Sequence, residues 1–227
     1  MLGPPDTWPL ESFRTLGAPP PVTSAEGRLF GCLCDGASVA LHSLLCATHL
    51  AGVGAYVPAL WDERVVPLCA AGAPVASFLW DGSMPAHVVP TLADVSELVR
   101  TVVERLRLQA PEVVIVVALL ESLLVKHGHV LQLHSARPVL IAVCLVTRKM
   151  TRDGDVATLT CVAALEDVFT ALTPALCVRL ERQLLEYLDW RIPNDPDVYN
   201  RHTIALLQSG TPQGMLPFSV VDVPWMC

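Results

Sequence analysis

The sequence predicts an all-α protein, and three observations carry this prediction. Residues 91–209 contain only two glycines, Gly128 and Gly154. Apolar residues in the same stretch recur at the three- and four-residue spacing that makes one face of a helix. Long helical patterns open at Pro111, Pro138 and Pro174, where the missing N–H of proline costs nothing. Since the two glycines each follow such a pattern, we expect them to serve as left-handed C-caps.

The predicted helices follow one another along the chain. Five are expected in residues 91–190: Thr91–Leu108, Pro111–His127, Pro138–Arg152, one from an Asp155 cap to about Phe169, and one from the Thr173–Pro174 cap to about Trp190. The second and third are apolar nearly all round, which is typical of central helices surrounded by others. Two more are expected outside this series, at Ala37–Leu50 and from about Asp197 to Leu207.

An α/β fold remains open as an alternative. The runs Val113–Val117 and Val139–Ile141 are β-branched and could form buried parallel strands. Such a fold would suit an enzyme with a cysteine or serine nucleophile. However, the segment around Ser38 only approximates a nucleophile elbow, because it lacks the last glycine. Both runs also begin at a proline, which a central strand tolerates poorly.

Proline and glycine divide the chain into four parts. Residues 1–27 are expected to form a Pro-rich N-terminal arm. Residues 28–90 are mixed in pattern and too apolar for a free linker, so we expect them to pack on the helical domain. That domain, with the helix that follows it, spans residues 91–208. A C-terminal tail spans residues 209–227.

The composition excludes several classes of protein. Of 227 residues, 52% are hydrophobic and 16% charged, which excludes a disordered chain and suggests apolar surface buried against a partner. The net charge is −7 and no basic patch is visible, so a nucleic-acid partner is not expected. The longest apolar runs, Val113–Leu120 and Pro138–Val146, are too short for a transmembrane helix. We therefore expect no integral membrane segment.

The N-terminus lacks the basic and apolar regions of a signal peptide. We therefore expect an intracellular protein, cytoplasmic, nuclear or both, whose eight cysteines are free thiols.

A cluster of potential metal ligands lies within eighteen residues of the N-terminal part. It comprises Cys32, Cys34, His42, Cys46 and His49, of which the last three would share one face of a helix. Thiolate and imidazole suit Zn²⁺, but the Cys-x-Cys spacing is not that of a usual zinc knuckle. The sequence favours an apolar helix with small buried cysteines, and we expect neither a metal nor a cofactor.

Three motifs in residues 91–208 resemble, in their order and spacing, the cyclin box. The segment from Arg137 to Lys149 resembles the third box helix, which ends in a lysine. Leu180 to Trp190 resembles the fifth, whose Leu-Glu-x-x-Leu-Leu-x-x-Leu pattern carries a glutamate. Pro196-Asp197-Val198-Tyr199 resembles the step into the helix after the box. The closest branch is the single-box cyclins, the Pho-type (P/U-type) group and cyclin Y, although Arg148 stands where these often have a small residue.

This resemblance implies a regulatory subunit that acts in the cell cycle and has no catalytic activity of its own. It would bind and activate a cyclin-dependent protein kinase by stabilising the kinase αC helix, which carries a glutamate needed for catalysis. By the resemblance, Lys149 and Glu181 would hydrogen-bond kinase backbone, and Leu145, Arg148, Val178 and Arg182 could line the same face. A cyclin-fold scaffold with non-kinase partners is the alternative.

Two side-chain expectations accompany this face. Arg182 and Glu186 are spaced as a helix-surface ion pair. Glu181→Lys is expected to weaken kinase binding strongly while leaving the fold intact, because the residue is expected to lie on the charged rim of a packed helix.

Overall fold

The computed structural model describes residues 25–50, 57–69, 90–128, 130–152, 158–192 and 195–210. Seven α-helices lie in these ranges: α1 (Ala25–Leu50), α2 (Leu92–Arg105), α3 (Ala110–His127), α4 (Ala136–Thr151), α5 (Thr158–Leu165), α6 (Pro174–Tyr187) and α7 (Pro196–Gly210). The described part of the chain contains no strand. The all-α prediction is therefore confirmed for these residues, and the α/β alternative is wrong there because both β-branched runs lie in helices.

The central position predicted for two helices is confirmed. In α3, eight consecutive residues from Val113 to Leu120 are buried, and in α4 the twelve from Ala136 to Thr147 are buried. Helix α3 packs against α1, α4, α6 and α7, whereas α4 packs against α2, α3 and α6. Helix α5 is short and lies against α6 and α2. The end of α4, the start of α5 and the middle of α6 meet at one corner of the domain.

Several helix ends agree with the sequence, and one cap does not. The Thr173 side chain accepts a hydrogen bond from the Leu176 amide at 3.2 Å, and Thr91 forms a capping box with Asp94. Gly128 has φ −54°, which is right-handed, so the predicted left-handed cap at this glycine is wrong. The second predicted cap, Gly154, lies outside the described residues.

Helix α1, which precedes the series of five predicted helices, is longer than expected. Helix α1 begins at Ala25 rather than Ala37, and it packs against α7, α2 and α3. Most of the predicted Pro-rich arm, residues 70–89 and residues 211–227 of the predicted tail lie outside the described residues.

One helix in the described residues is long and apolar enough to cross a membrane by length and composition alone. It is the stretch Glu26–Thr48 of α1. Arg28 and Asp35 interrupt this stretch, so it contains no long uninterrupted apolar run in the sequence. Leu33, Leu41 and Leu45 of this helix are buried against the rest of the domain. Since the core helix of a soluble protein passes the same test, no integral membrane protein is suggested.

Candidate partner-binding site

Helix α4 carries Lys149 to the corner where α4, α5 and α6 meet. The helix is buried as far as Thr147 and becomes basic in its last turn, where cations interact favourably with the helix dipole. Lys149 is partly buried, and the next residue, Met150, is 39% exposed.

Helix α6 supplies Glu181 from the opposite side of this corner. Leu176, Leu180 and Leu184 repeat every fourth residue and are all buried, so this stripe fixes how the helix faces the core. Glu181 lies at the edge of the stripe and is only 9% exposed. A carboxylate at that depth needs a partner to offset its loss of hydration.

Lys149 is that partner. Its Nζ lies 2.7 Å from Glu181 Oε2 and donates a second hydrogen bond, also of 2.7 Å, to Thr158 Oγ1 at the start of α5. An ammonium has three donors, so one remains after these two bonds. Glu181 Oε1 is buried and accepts no hydrogen bond from the described residues. Both members of the pair therefore retain hydrogen-bonding capacity beyond their own contact.

Exposed apolar side chains flank the pair. Val178 lies one turn before Glu181 and is 51% exposed, and Leu159 follows Thr158 and is 66% exposed. Met150, which is also exposed, follows Lys149 in the chain. Each of the three polar residues therefore has an exposed apolar residue close to it in the sequence. We call the six residues Lys149, Glu181, Thr158, Met150, Leu159 and Val178 the Lys149–Glu181 face. Exposed apolar side chains beside polar groups with unused hydrogen-bonding capacity mark a candidate protein-binding surface.

The remaining predicted site residues have different surroundings. Leu145 is fully buried, so it supports the face from beneath and does not line it. Arg182 is exposed and pairs with Glu186 at 2.8 Å, which confirms the predicted helix-surface pair. Arg148 lines a separate cavity beside α2 and α5.

Sequence reasoning missed three members of the face. Met150 follows Lys149 and Leu159 follows Thr158 in the sequence. An apolar residue next to a polar one was the only signal in the sequence for either of them. Thr158 is nine residues beyond Lys149, and the intervening residues 153–157 lie outside the described structure. No periodic pattern connects the two.

Four of the seven described thiols and the candidate nucleophile Ser38 are buried. The seven cysteines of the described residues are free, and burial raises the pKa of Cys34 and Cys177 to about 12. A thiol with so high a pKa is a poor nucleophile at neutral pH. Ser38 is buried and donates its hydroxyl to the Cys34 carbonyl at 2.8 Å. The burial of Cys34 and Cys177 and the hydrogen bond of Ser38 give no support to nucleophilic chemistry at these three residues.

The residues considered as metal ligands have other contacts. His42 Nε2 lies 3.1 Å from the Pro90 carbonyl oxygen and 3.5 Å from Cys46 Sγ. Nowhere in the described ranges do three His, Cys, Asp or Glu side chains gather as a metal site would require. The side chain of His49 lies outside the described residues.

Comparisons with protein-family models, with curated proteins and with solved structures return no match for this chain.

Proposed function

We propose that this protein is a cyclin-like regulatory subunit that binds and activates a cyclin-dependent protein kinase through the Lys149–Glu181 face. The observation that carries the proposal is the partly buried Lys149–Glu181 pair, which keeps unused hydrogen-bonding capacity within an apolar rim. The order of helices α2–α6, with a lysine ending the third and a glutamate in the fifth, supports the same assignment.

The mechanism requires no catalytic group on this chain. A kinase needs its αC helix turned inward so that a glutamate on it meets the catalytic lysine. A partner that binds only the inward state shifts the kinase population toward it. Lys149 would donate to a kinase carbonyl and Glu181 would accept from a kinase amide, so that backbone groups buried by docking stay satisfied. Val178, Leu159 and Met150 would bury their apolar surface at the same time.

The structure changes which substitution tests this face best. Because Glu181 is nearly buried and paired, Glu181→Lys would leave two ammonium groups together and would also destabilise the fold. Val178 is half-exposed on the same helix, so Val178→Glu alters the surface without removing an internal contact pair. The matched control is Ile204→Glu, since Ile204 is 57% exposed on α7, which packs against α1 and α3.

The experiment is affinity capture of tagged wild type, Val178→Glu and Ile204→Glu from the cells that express the protein, followed by quantitative mass spectrometry. We expect one protein kinase near stoichiometry with wild type and with Ile204→Glu, and its loss with Val178→Glu. The purified kinase should gain activity when the wild-type protein is added. Retention of the kinase by Val178→Glu would contradict the assignment of the face.

The alternative is a helical scaffold that uses the same face for a partner that is not a kinase. The apolar rim fits such a partner equally well. A stoichiometric non-kinase protein that is lost only with Val178→Glu would reject the kinase proposal in favour of this scaffold.

A further inference from the structure

A second polar site lies beside the Lys149–Glu181 face, on the other side of α5. It is a cavity of about 490 Å³ between the C-terminal ends of α2 and α4 and the side of α5. Among the described residues that line it are Arg105, Arg107, Arg148, Glu104, Thr160 and Cys161. The two sites share α5, because Thr158 binds Lys149 and Thr160 faces the cavity.

Arg148 is the central observation. Its Nε and Nη1 atoms are buried, and neither donates a hydrogen bond to any described residue. An arginine keeps its charge at every physiological pH, so this cation cannot be relieved by losing a proton. Leaving charged donors buried and unused is costly, and a water, an ion or a ligand can supply the missing acceptor.

The neighbouring charges do not supply that acceptor. Burial and repulsion from Arg152 and Arg107 lower the pKa of Arg148. Glu112, an opposite charge that acts on Arg148, is already engaged by Arg152 at 3.3 Å and by the Gln109 amide and Thr151 hydroxyl at 2.5 Å each. Three of its roughly four acceptor positions are therefore taken by groups other than Arg148.

The described residues of the cavity wall carry a net positive charge. Arg105 forms an exposed ion pair with Asp167 at 2.6 Å, but the side chain of Arg107 makes no hydrogen bond or ion pair with the described part of the chain. The one carboxylate among the described lining residues, Glu104, is exposed and accepts no hydrogen bond from Arg148. The buried, unused donors of Arg148 and the exposed guanidinium of Arg107 thus border the same space.

We propose that this cavity binds a phosphoryl group, with Arg148 and Arg107 as its donors and the Thr160 hydroxyl as a further one. Guanidinium groups match the oxygens of a phosphate with two parallel hydrogen bonds. The volume exceeds what a free phosphate fills, so a phosphorylated side chain of another protein and a small phosphate compound both fit. The inference stands independently of kinase binding.

The test is titration of the full chain with inorganic phosphate, pyrophosphate and a capped phosphothreonine peptide, followed by ³¹P NMR at low ionic strength. The variants are Arg148→Met, which keeps an apolar stem, and Arg107→Gly, which suits the backbone there. Arg182→Gln is the matched control, because it removes one positive charge from an exposed site outside the cavity. The unphosphorylated peptide controls for contacts other than the phosphoryl group.

We expect the wild type and Arg182→Gln to bind with equal affinity, and each cavity variant to lose about tenfold or more. Tighter binding of the phosphopeptide would identify a partner's phosphorylated side chain as the source, and tighter binding of pyrophosphate a small compound. No binding by wild type at about 10 mM would overturn the proposal, and so would an equal loss with Arg182→Gln.

Discussion

Arg107 has a backbone conformation that usually belongs to glycine. Its φ is 51°, in the left-handed region, immediately after the C-cap of α2. The turn is closed by a 2.9 Å hydrogen bond from the Leu108 amide to the Val103 carbonyl, the pattern that ends many helices with a glycine. A residue with a Cβ is less stable than glycine in the left-handed region, so Arg107 strains the backbone locally.

Arg107→Gly is therefore expected to raise the free energy of unfolding by about 0.5–1 kcal/mol, after allowing for the greater freedom of glycine in the unfolded chain. Urea unfolding followed by circular dichroism measures it. Arg182→Gly is the matched control, because Arg182 lies inside α6, where glycine should cost about 1 kcal/mol. A loss of stability in Arg107→Gly would mean that the side chain makes contacts that outweigh its backbone strain.

Residue-level prediction from the sequence succeeded where the interaction is local. The Arg182–Glu186 pair and the Thr173 cap follow from spacings of three and four residues, and the structure has both. Leu145 was placed on the binding face by helical spacing, but it is fully buried because helices pack around α4 on every side. The burial of a residue depends on neighbours that a local pattern does not contain.

At the scale of elements, α1 and α7 cross closely enough that glycine is required at the contact. A Cβ added to Gly36 would overlap the backbone of Leu206 on α7, and one added to Gly210 would overlap the backbone of Cys32. Gly31, one turn earlier in α1, has nothing within 4 Å of the same position. Gly31 and Gly36 of α1 therefore have opposite roles.

Gly36→Ala is expected to lower the free energy of unfolding by about 1–3 kcal/mol, because rigid backbone must move apart to admit the methyl group. Gly31→Ala should raise it by about 0.5–1 kcal/mol, since alanine favours the helix and meets open space. Thermal and urea unfolding of both variants give the comparison. Equal effects at the two positions would show that α1 and α7 do not pack this closely in solution.

The same crossing explains why the start of α1 was missed in the sequence. Gly27, Gly31 and Gly36 lower the helical propensity of residues 25–36, so the sequence predicts a helix only from Ala37. Packing against α7 favours the helix there despite the glycines. Conversely, the starts of α3 and α6 were predictable because proline and the capping groups act within one turn.

At the scale of the whole molecule, residues 57–69 tie together helices that are distant in sequence. Trp61 is fully buried and packs on Tyr187 at the end of α6, with ring centroids 5.0 Å apart. The Leu68 carbonyl accepts a hydrogen bond from the Ala171 amide at 2.9 Å. The segment has no regular structure, so no periodic pattern could have revealed it in the sequence, although its high apolar content indicated that it packs on the helices.

The strongest polar link in this segment is the ion pair between Glu63 and Arg137 of α4. The two side chains are 2% and 4% exposed, and the guanidinium donates two hydrogen bonds to the carboxylate, the one from Nε being 2.7 Å long. Burial raises the pKa of Glu63 to about 7, although Arg137 opposes the shift. Between the ordinary pKa of a glutamate and this value, the folded protein binds more protons at Glu63 than the unfolded chain does.

The free energy of unfolding should therefore fall as pH rises through this interval, because stability decreases with pH wherever the folded state holds the extra proton. Urea unfolding at about pH 5.5 and pH 8 measures the change, and Glu63→Gln isolates the contribution of this carboxyl. Wild type should lose more stability between the two pH values than Glu63→Gln does, since all other groups titrate alike in both proteins. Equal losses would mean that Arg137 holds Glu63 charged across the whole range, so that the segment is joined to α4 by an ion pair insensitive to pH.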